Sequence, residues 1–342
     1  MKILFVGANE GNSRNSYLSI KKIYPKTKIL DTSKILNKFY YKIFYHIAPF
    51  FFNRIINTFY KREVNSFYDL IFLFNVDLIN ENSLNQIKKK SKKIYYFCAD
   101  NPFVKRDKKK WYFIKKIICE FDLVIFHQKS REKFVKEYKI KKFVTILPPY
   151  YKNIHLIKNR KKPIKQIVFV GTWFPERGKF FYELKKRGLN FDICGMRWNK
   201  DKKYFRLLKK NIILKNFTQK QVAKIVSKYQ INIALLSKEN QDDITRRCIE
   251  IPAVGSLLCC ERTTTMSKVL VENKEAVYFS GPIECFKKCK KLLGDQRLMN
   301  KISIKGNNKI IKILKPESER IYKKIFNASF INKNINKFII KY

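Results

Sequence analysis

Residues 166–179 carry the sequence QIVFVGTWFPERGK, which predicts a strand, a turn and the start of a helix. The strand is predicted over 166–171, where four consecutive apolar residues lead into Gly171. An uninterrupted apolar run is typical of a strand whose two faces are both covered by helices. The helix is predicted to begin near Arg177 and to continue over 179–187. This order of elements is the unit from which doubly wound α/β domains are built.

The same alternation of strands and helices extends in both directions from this unit. Further strands are predicted at 2–7, 27–30, 70–74, 93–98, 123–126, 144–147, 191–195, 231–236, 256–260 and 276–279. Helices are predicted at 13–24, 82–90, 130–136, 218–229 (with Thr218 as N-cap), 243–253, 282–293 and 295–314. We therefore expect an α/β fold with two doubly wound, Rossmann-like halves that face each other across a cleft.

The length of 342 residues also favours two domains, because single cores stop growing at about 250–300 residues. Pro148 and Pro149, followed by a polar and basic stretch up to Pro163, are typical of a linker. We expect an N-terminal domain over 1–160 and a second domain over 161–315. Residues 316–342 are expected to be a helical segment that could cross back to the first domain.

The charge is strongly positive, since 75 Lys and Arg residues oppose 27 Asp and Glu residues and give +48. Such a surface attracts polyanions and anionic lipid headgroups. However, the excess is mostly lysine, spread along the whole chain together with Ile, Asn, Phe and Tyr, all of which have AT-rich codons. Compositional drift combined with attraction to an anionic membrane surface is therefore favoured over dedicated nucleic-acid binding.

The eight cysteines show no Cys-x-x-Cys pair, and the three histidines form no zinc-binding spacing. We expect buried, reduced thiols and no metal site. The sequence offers no run of about 18 uncharged apolar residues and no export signal. A cytoplasmic location is expected, with a peripheral position on the inner face of the membrane as an extension of the charge argument.

An aromatic segment at 39–60, FYYKIFYHIAPFFFNRIINTFY, has two interpretations of equal weight. A helix rich in Phe and Tyr with a basic side is suited to a membrane interface. A core helix that covers the first sheet would have the same composition. In either case Pro49 is expected to interrupt or kink the helix.

The turn after the strand at 166–171 is a candidate anion site. Backbone N–H groups at the start of the next helix, with Arg177 and Lys179 close by, suit a diphosphate. The structural alternative is an ordinary solvated βα turn with two surface cations, and the turn alone does not decide between them.

A second candidate lies at 242–255, DDITRRCIEIPAVG, between two predicted strands. Arg246, Arg247 and Glu250 share one side of the predicted helix, and Asp242 precedes Glu250 by just over two helical turns. A carboxylate accepts hydrogen bonds from paired ribose hydroxyls, and arginine binds phosphate with two donors. By spacing alone, a surface helix with an Arg–Glu pair is the simpler interpretation.

Residues 247–255, RCIEIPAVG, resemble the Arg-x-x-Glu-x-x-Ala-x-Gly signature of the spore-maturation (CgeB-like) glycosyltransferases, within the wider group 1, family 4-like set. The resemblance covers most of the chain and is densest over 165–310. It also includes 171–177, 258–261, 275–279, 292–295 with Arg297 and, in the first half, 95–103 and 147–155.

The resemblance implies a GT-B fold, a nucleotide-sugar co-substrate and no other cofactor. It implies that Glu250 holds the donor ribose and that Arg247 orients Glu250 or reaches a phosphate. Arg177 and Lys179, with the turn at Gly171 and Thr172, would hold the pyrophosphate. Members of the wider set often carry a Glu eight residues before this Glu. Here Asp242 stands in that position, with a side chain shorter by one methylene, and the resemblance implies that it is a catalytic residue in contact with the donor's sugar hydroxyls. Asp100 is the other candidate catalytic residue.

The first half contributes candidates for the acceptor side. Asp100 ends a predicted strand and could contact the transferred sugar or the acceptor hydroxyl. Alternatively, it forms the turn before Asn101 and Pro102. The loop that contains Gly7, Asn9 and Gly11 lacks a full GxGxxG, which leaves a nicotinamide site unsupported. It is expected to line the acceptor side.

By this resemblance, the expected function is transfer of a sugar to a cell-surface glycan or a lipid-linked acceptor, with retention and without a metal. The sequence contains no Asp-x-Asp metal motif. Three alternatives stay open: a basic nucleic-acid-binding protein, a non-catalytic GT-B scaffold at the membrane, and a sugar-nucleotide epimerase.

Overall fold

The computed structural model describes residues 1–148, 151–155, 157, 163, 165–314 and 318–330. Parts of the predicted linker at 148–163 and the end of the predicted C-terminal segment, 331–342, lie outside the described residues. The chain forms two compact units. Unit 1 comprises Met1–Leu147, Lys238–Asp242 and 318–330 of the C-terminal region. Unit 2 comprises Pro148–Ser237 and 243–314.

Each unit contains a six-stranded parallel sheet. The strands of unit 1 are β1 (Ile3–Gly7), β2 (Lys28–Asp31), β3 (Tyr68–Phe74), β4 (Ser91–Cys98), β5 (Leu123–Phe126) and β6 (Phe143–Thr145). The strands of unit 2 are β7 (Lys165–Val170), β8 (Asp192–Cys194), β9 (Ile212–Ile213), β10 (Tyr229–Ala234), β11 (Leu257–Glu261) and β12 (Val277–Phe279).

Helices connect these strands. In chain order they are α1 (Gly11–Ile23), α2 (Lys38–His46), α3 (Asn53–Glu63), α4 (Glu81–Lys88), α5 (Tyr112–Ile117), α6 (Lys152–His155), α7 (Pro175–Lys186), α8 (Lys202–Leu208), α9 (Gln219–Ser227), α10 (Arg246–Ala253), α11 (Thr264–Val269), α12 (Pro282–Gly294), α13 (Gln296–Leu314) and α14 (Ser318–Phe330). None of the helices in the described part of the chain is long and apolar enough to cross a bilayer.

The two sheets have different strand orders. The order in unit 1 is β2-β1-β3-β4-β5-β6, so the chain changes direction across the sheet between β1 and β3. In unit 2 the order is β9-β8-β7-β10-β11-β12, with the change between β7 and β10. In doubly wound sheets the carboxyl ends of the two strands at such a switch point form the usual ligand site. The predicted α/β class with two doubly wound halves is confirmed.

The core of unit 1 has a layer on each face of its sheet, which explains the continuous apolar strands. On one face, Phe72 and Phe97 pack with the C-terminal helix α14. The ring centroids of Phe72 and Phe326 are 5.4 Å apart, and the Tyr322 hydroxyl donates to Ser16 Oγ at 2.9 Å. The chain therefore returns at its C-terminal end to the sheet with which it began.

Several local predictions hold, and others are wrong. Thr218 caps α9 with Gln221 as the reciprocal partner, and Pro49 separates α2 from α3 by starting a short 3-10 turn, Pro49–Phe52. The predicted helix at 130–136 is wrong, because Lys129–Phe134 forms 3-10 turns instead. The sequence analysis also missed α5, α8, α11 and β9, all of them short elements with too few residues for a periodic pattern.

Candidate functional site

The turn after β7 is closed by hydrogen bonds from the neighbouring strand of unit 2. Gly171 N–H donates to the Cys194 carbonyl at 2.9 Å, and Trp198 Nε1 donates to the Gly171 carbonyl at 3.0 Å. A Cβ atom on Gly195 would lie 2.1 Å from the Gly171 oxygen. The turn can therefore adopt this form only because residue 195 is glycine.

Arg177 fixes the far side of the same turn from the first turn of α7. Its Nη1 donates to the Thr172 carbonyl at 2.6 Å and its Nη2 to the Leu235 carbonyl at 3.2 Å. The guanidinium also lies over the Phe174 ring at 4.5 Å, and the residue is only 6% exposed. Arg177 thus ties the carboxyl end of β7 to that of β10 at the switch point, whereas Lys179 of the same helix is exposed.

The second predicted motif meets this turn directly. Glu250 is buried in α10, where its Oε1 lies 3.1 Å from Arg246 Nε and its Oε2 accepts from Arg247 Nη1. Arg247 Nε donates to the carbonyl of Val170, the last residue of β7, at 3.1 Å. Of the predicted site residues, the structure therefore brings together Gly171, Arg247 and Glu250.

His155 is a member of this cluster that the sequence analysis missed. It is buried, and its Nε2 lies 3.3 Å from Glu250 Oε1. Its Nδ1 accepts the Tyr151 backbone N–H at 3.0 Å, so the ring proton is assigned to Nε2, which faces the carboxylate. The sequence analysis did not find the contact, because nothing in the local sequence links residue 155 to residue 250.

The environment keeps Glu250 ionised. Burial alone would raise the pKa of its carboxyl, but Arg247 and Arg246, helped by the hydrogen bond from His155, hold that pKa well below its usual value. Around the Glu250 carboxylate and the β7 turn stand the cations Arg177, Lys179, Arg246 and Arg247, and Glu176 is a second carboxylate in the first turn of α7, so the cations outnumber the carboxylates. This arrangement offers an oxygen acceptor for hydroxyl groups beside donors for a polyanion.

Asp242 precedes α10 and lies in unit 1. The helix begins at Arg246, three residues after the predicted start at 243, and residues Lys238–Asp242 belong to unit 1. There the Asp242 Oδ1 accepts from Arg131 Nη2 at 3.0 Å and from Gln128 Nε2 at 2.8 Å. Arg131 is buried and requires a counter-charge, which Asp242 supplies.

Asp100 lies just beyond the carboxyl end of β4 in unit 1, where two cations face it. Its Oδ2 accepts from Asn75 Nδ2 at 3.0 Å and lies 3.6 Å from Lys110 Nζ, and Arg106 Nη2 lies 3.4 Å from Oδ1. Burial would raise the pKa of Asp100, but Lys110 and Arg106 outweigh it and lower that pKa. The carboxylate is partly exposed, so it can accept a hydrogen bond from a bound hydroxyl.

Further polar groups of unit 1 were not found from the sequence. His127 stacks on Phe97 with centroids 6.2 Å apart, and its Nδ1 lies 3.4 Å from the Cys98 carbonyl. Burial and the charge of Arg131 lower the pKa of His127 to about 4. Arg106, Lys110 and Arg131 are separated by ordinary lysine-rich sequence, so no spacing distinguishes them from the other cations of the chain.

The loop after β1, predicted to line the acceptor side, lies at the switch point of unit 1. A Cβ atom on Gly7 would lie 2.6 Å from Ser13 Oγ and 3.2 Å from the Phe74 carbonyl, at the β1–β3 switch point. Asn9 N–H donates to Asp31 Oδ1 at 3.1 Å, and Gly11 begins α1. Asn9 and Gly11 are exposed, whereas Gly7 is buried against the sheet.

Three cysteines form a cluster that their spacing did not indicate. The sulfur atoms of Cys259, Cys285 and Cys289 lie within 4.8 Å of one another in the core of unit 2, and all three residues are buried. Cys259 comes from β11 and the other two come from α12, so the fold alone brings them together. Apolar side chains surround them, in keeping with the expectation of buried thiols.

Comparison with known proteins gives results for the sequence and for the fold. Residues 177–315 match the family model described as glycosyl transferase-like, and no protein of curated function matches the sequence. The fold is similar to sucrose-phosphate synthase from Thermosynechococcus elongatus (10% identity, TM-score 0.70, covering 95% of this chain and 99% of that one). It is also similar to HepE from Anabaena in complex with UDP and glucose (11%, 0.70, 98% and 100%) and to a glycosyltransferase from Rickettsia africae (13%, 0.66, 97% and 98%).

At these identities the structural likeness establishes the fold alone. The match to the family model concerns the second half of the chain, residues 177–315. The chain therefore combines the GT-B fold with a stretch, residues 177–315, that is similar to the glycosyl transferase-like family.

Proposed function

We propose that this protein transfers a sugar from a nucleoside-diphosphate sugar, with UDP as the nucleotide, to a cell-surface glycan or a lipid-linked acceptor. The observation that carries the proposal is the link from Glu250 through Arg247 to Val170, which places an ionised carboxylate beside a cationic turn. HepE, a protein of the same fold, has been seen with UDP and glucose and with UDP-glucose, which supports the choice of UDP.

In this proposal the donor lies along the switch point of unit 2. Glu250 accepts hydrogen bonds from the paired ribose hydroxyls, and His155 and Arg246 keep its carboxylate in place. The pyrophosphate faces the turn at Gly171 and Thr172 and the first turn of α7. There Lys179 supplies an accessible charge, and Arg177 holds the turn in shape and adds its positive field.

The chemistry follows from where negative charge develops. The bond between the anomeric carbon and the β-phosphate oxygen breaks, a bond forms from the acceptor oxygen to that carbon, and the acceptor proton passes to the departing phosphate. Cations at the β7 turn stabilise the growing charge on the leaving group. We propose retention by front-face attack without a protein nucleophile or a metal, as the resemblance to CgeB-like enzymes implies.

The acceptor is assigned to unit 1. Asp100, held by Asn75, Arg106 and Lys110, is the proposed contact for an acceptor or sugar hydroxyl, and the loop of Gly7, Asn9 and Gly11 is the proposed lining. Asp242 supports this unit by neutralising Arg131. We place the protein on the cytoplasmic side of a membrane, where a lipid-linked acceptor would be presented.

The test is a screen of the purified full chain against UDP-, GDP- and ADP-sugars, with melting temperature and nucleotide release as readouts. A ligand that binds only the folded state raises the melting temperature. We expect stabilisation by UDP and its sugars, and sugar transfer that persists in EDTA. Stabilisation by no nucleotide would overturn the proposal, and UDP binding with a changed sugar but no transfer would indicate an epimerase.

A further inference from the structure

We infer that an exposed apolar surface of unit 1, formed by α2, the 3-10 turn Pro49–Phe52 and the start of α3, binds an anionic lipid bilayer. We call it the aromatic surface, and its members are Phe39, Tyr40, Ile47, Phe50, Phe51 and Ile55. The inference rests on the proposed function in one respect: binding to a bilayer would bring the enzyme to a lipid-linked acceptor.

The side chains of the aromatic surface are largely exposed to solvent and are not used to fill the core of unit 1. Phe39 and Ile47 are each 67% exposed, Phe51 is 70% exposed and Phe50 is 52% exposed. Single exposed apolar residues are ordinary, but six of them within residues 39–55 form a group of the kind that marks an interaction surface. The rings of Phe50 and Phe51 are 4.5 Å apart at the turn, and those of Phe39 and Tyr40 are 5.7 Å apart.

The same elements are anchored to the core by other residues. Phe44, Phe52 and Ile56 are buried in unit 1, and the Tyr41 hydroxyl donates to buried Asp77 at 2.5 Å. These contacts hold α2 and α3 in place and fix the direction in which the exposed side chains project. The segment therefore has a core side, as the core-helix interpretation expects, and an outward side that faces solvent.

The outward side of α2 has the arrangement of an interfacial helix. At about 100° per residue, Phe39, Tyr40 and Ile47 fall on one side of α2, and Lys38, Lys42 and His46 fall beside them. Both lysines are exposed. Apolar side chains next to lysines allow insertion among acyl chains while the ammonium groups stay at the headgroups.

Charge decides which partner fits. Residues 32–62 contain six Lys and Arg residues and no Asp or Glu. Exposed Lys108 and Lys109 add to this field near the end of α2, where Lys108 Nζ lies 2.8 Å from His46 Nδ1. Each cation at an anionic membrane surface strengthens binding, and the aromatic side chains supply the apolar part. We therefore assign anionic lipid as the occupant.

The experiment is vesicle flotation of the full chain with equimolar phosphatidylcholine and phosphatidylglycerol, compared with phosphatidylcholine alone. We expect binding to the anionic vesicles and a loss of about tenfold or more in the variant Phe50→Ser/Phe51→Ser, which keeps every charge. The matched control is Ile283→Ser/Ile304→Ser, two exposed apolar residues of unit 2. This control should bind as the unmodified protein does.

A second pair of variants tests whether vesicle binding depends on the aromatic surface or on the overall positive charge of the protein. Lys38→Glu/Lys42→Glu and Lys287→Glu/Lys290→Glu make the same change in net charge, the second pair on α12 of unit 2. We expect only the first pair to weaken vesicle binding strongly. Equal loss in both would overturn the inference in favour of nonspecific attraction.

Two other outcomes also decide against it. Absence of binding to anionic vesicles would overturn the inference, and so would a lipid-free dimer that Phe50→Ser/Phe51→Ser dissociates, because the occupant would then be a second copy. Stabilisation by UDP should be unchanged in Phe50→Ser/Phe51→Ser. Failure of the donor proposal would instead appear as absent UDP binding in the unmodified protein, so the two results are separable.

Discussion

Arg247 Nε donates to the carbonyl oxygen of Val170 at 3.1 Å, so a residue of α10 is fixed to the last residue of β7. The same guanidinium binds Glu250 through Nη1. The Arg247 side chain thus joins the two segments that the sequence singled out, although Arg247 and Val170 are 77 residues apart along the chain. Because the guanidinium is planar, fixing two of its nitrogens also fixes the plane in which the carboxylate lies.

Replacement of Glu250 by Gln tests the role of the carboxylate. We expect transfer to fall by about 100-fold, because the charged acceptor for the donor hydroxyls is lost. The variant should also unfold more easily, since Arg246, Arg247 and His155 lose a buried anion. Turnover and UDP affinity are measured at a temperature where the variant is folded.

The control for that substitution is Glu183→Gln, which removes a partly exposed carboxylate of α7 that is paired with Arg187, just beyond the end of that helix. It should alter neither turnover nor the melting temperature. Equal effects of the two substitutions on transfer would contradict a donor role for Glu250.

Arg177 and Lys179 are expected to respond differently to substitution. Arg177→Lys removes the fork that reaches both the Thr172 and Leu235 carbonyls, so the melting temperature should fall and transfer should drop by about 100-fold. Lys179→Ala should leave the melting temperature unchanged and raise the KM for the donor by about tenfold, as expected for an exposed phosphate contact. Thermal unfolding and steady-state kinetics of both variants provide the check, and unchanged kinetics in both would refute the assignment.

Gly195 directly follows β8, and the substitution Gly195→Ala should disrupt the neighbouring turn after β7. The added methyl group would meet the Gly171 oxygen at 2.1 Å, so the turn must move. We expect a lower melting temperature together with weaker UDP binding, measured by calorimetry. Gly294→Ala, at a position where the added atom meets nothing within 4 Å, is the control and should change neither quantity. UDP affinity that survives Gly195→Ala would mean that the turn takes no part in binding the donor.

His127 should make the stability of unit 1 depend on pH. Its pKa is lowered to about 4, so between the ordinary value of 6.5 and about 4 the unfolded chain takes up a proton that the folded chain does not. Stability from this group is fully present above pH 6.5 and is lost as the pH falls. At pH 5 the loss relative to pH 7 is about 2 kcal/mol.

The variant His127→Gln removes this proton uptake while retaining a polar side chain. The difference in the free energy of unfolding between variant and unmodified protein should therefore shift in favour of the variant as the pH falls from 7 to 5. Urea denaturation at both pH values measures it. Parallel pH dependence of the two proteins would show that His127 is protonated in the folded state.

The sequence predicted what depends on neighbours along the chain. The apolar runs located eleven of the twelve strands closely, the cap at Thr218 marked the start of α9, and Pro49 marked the break between α2 and α3. The Gly171 turn and the motif around Glu250 were found in the same way. Strand β9, with only two residues, lacked such a pattern.

What the sequence could not predict are contacts between residues far apart in the chain. His155 reaches Glu250 across 95 positions because α6 and α10 belong to the same unit, and Asp242 pairs with the buried Arg131, which is 111 positions away. The three cysteine sulfurs meet for the same reason.

The amino-acid order by itself therefore determined the α/β class, the two halves and the candidate residues for the donor site, because periodicity and turn chemistry are local properties. Only the tertiary structure decided which charges neutralise one another and which aromatic residues remain outside the core. Those outcomes depend on burial and on distances in space, and a buried charge accepts whichever partner the fold brings within reach.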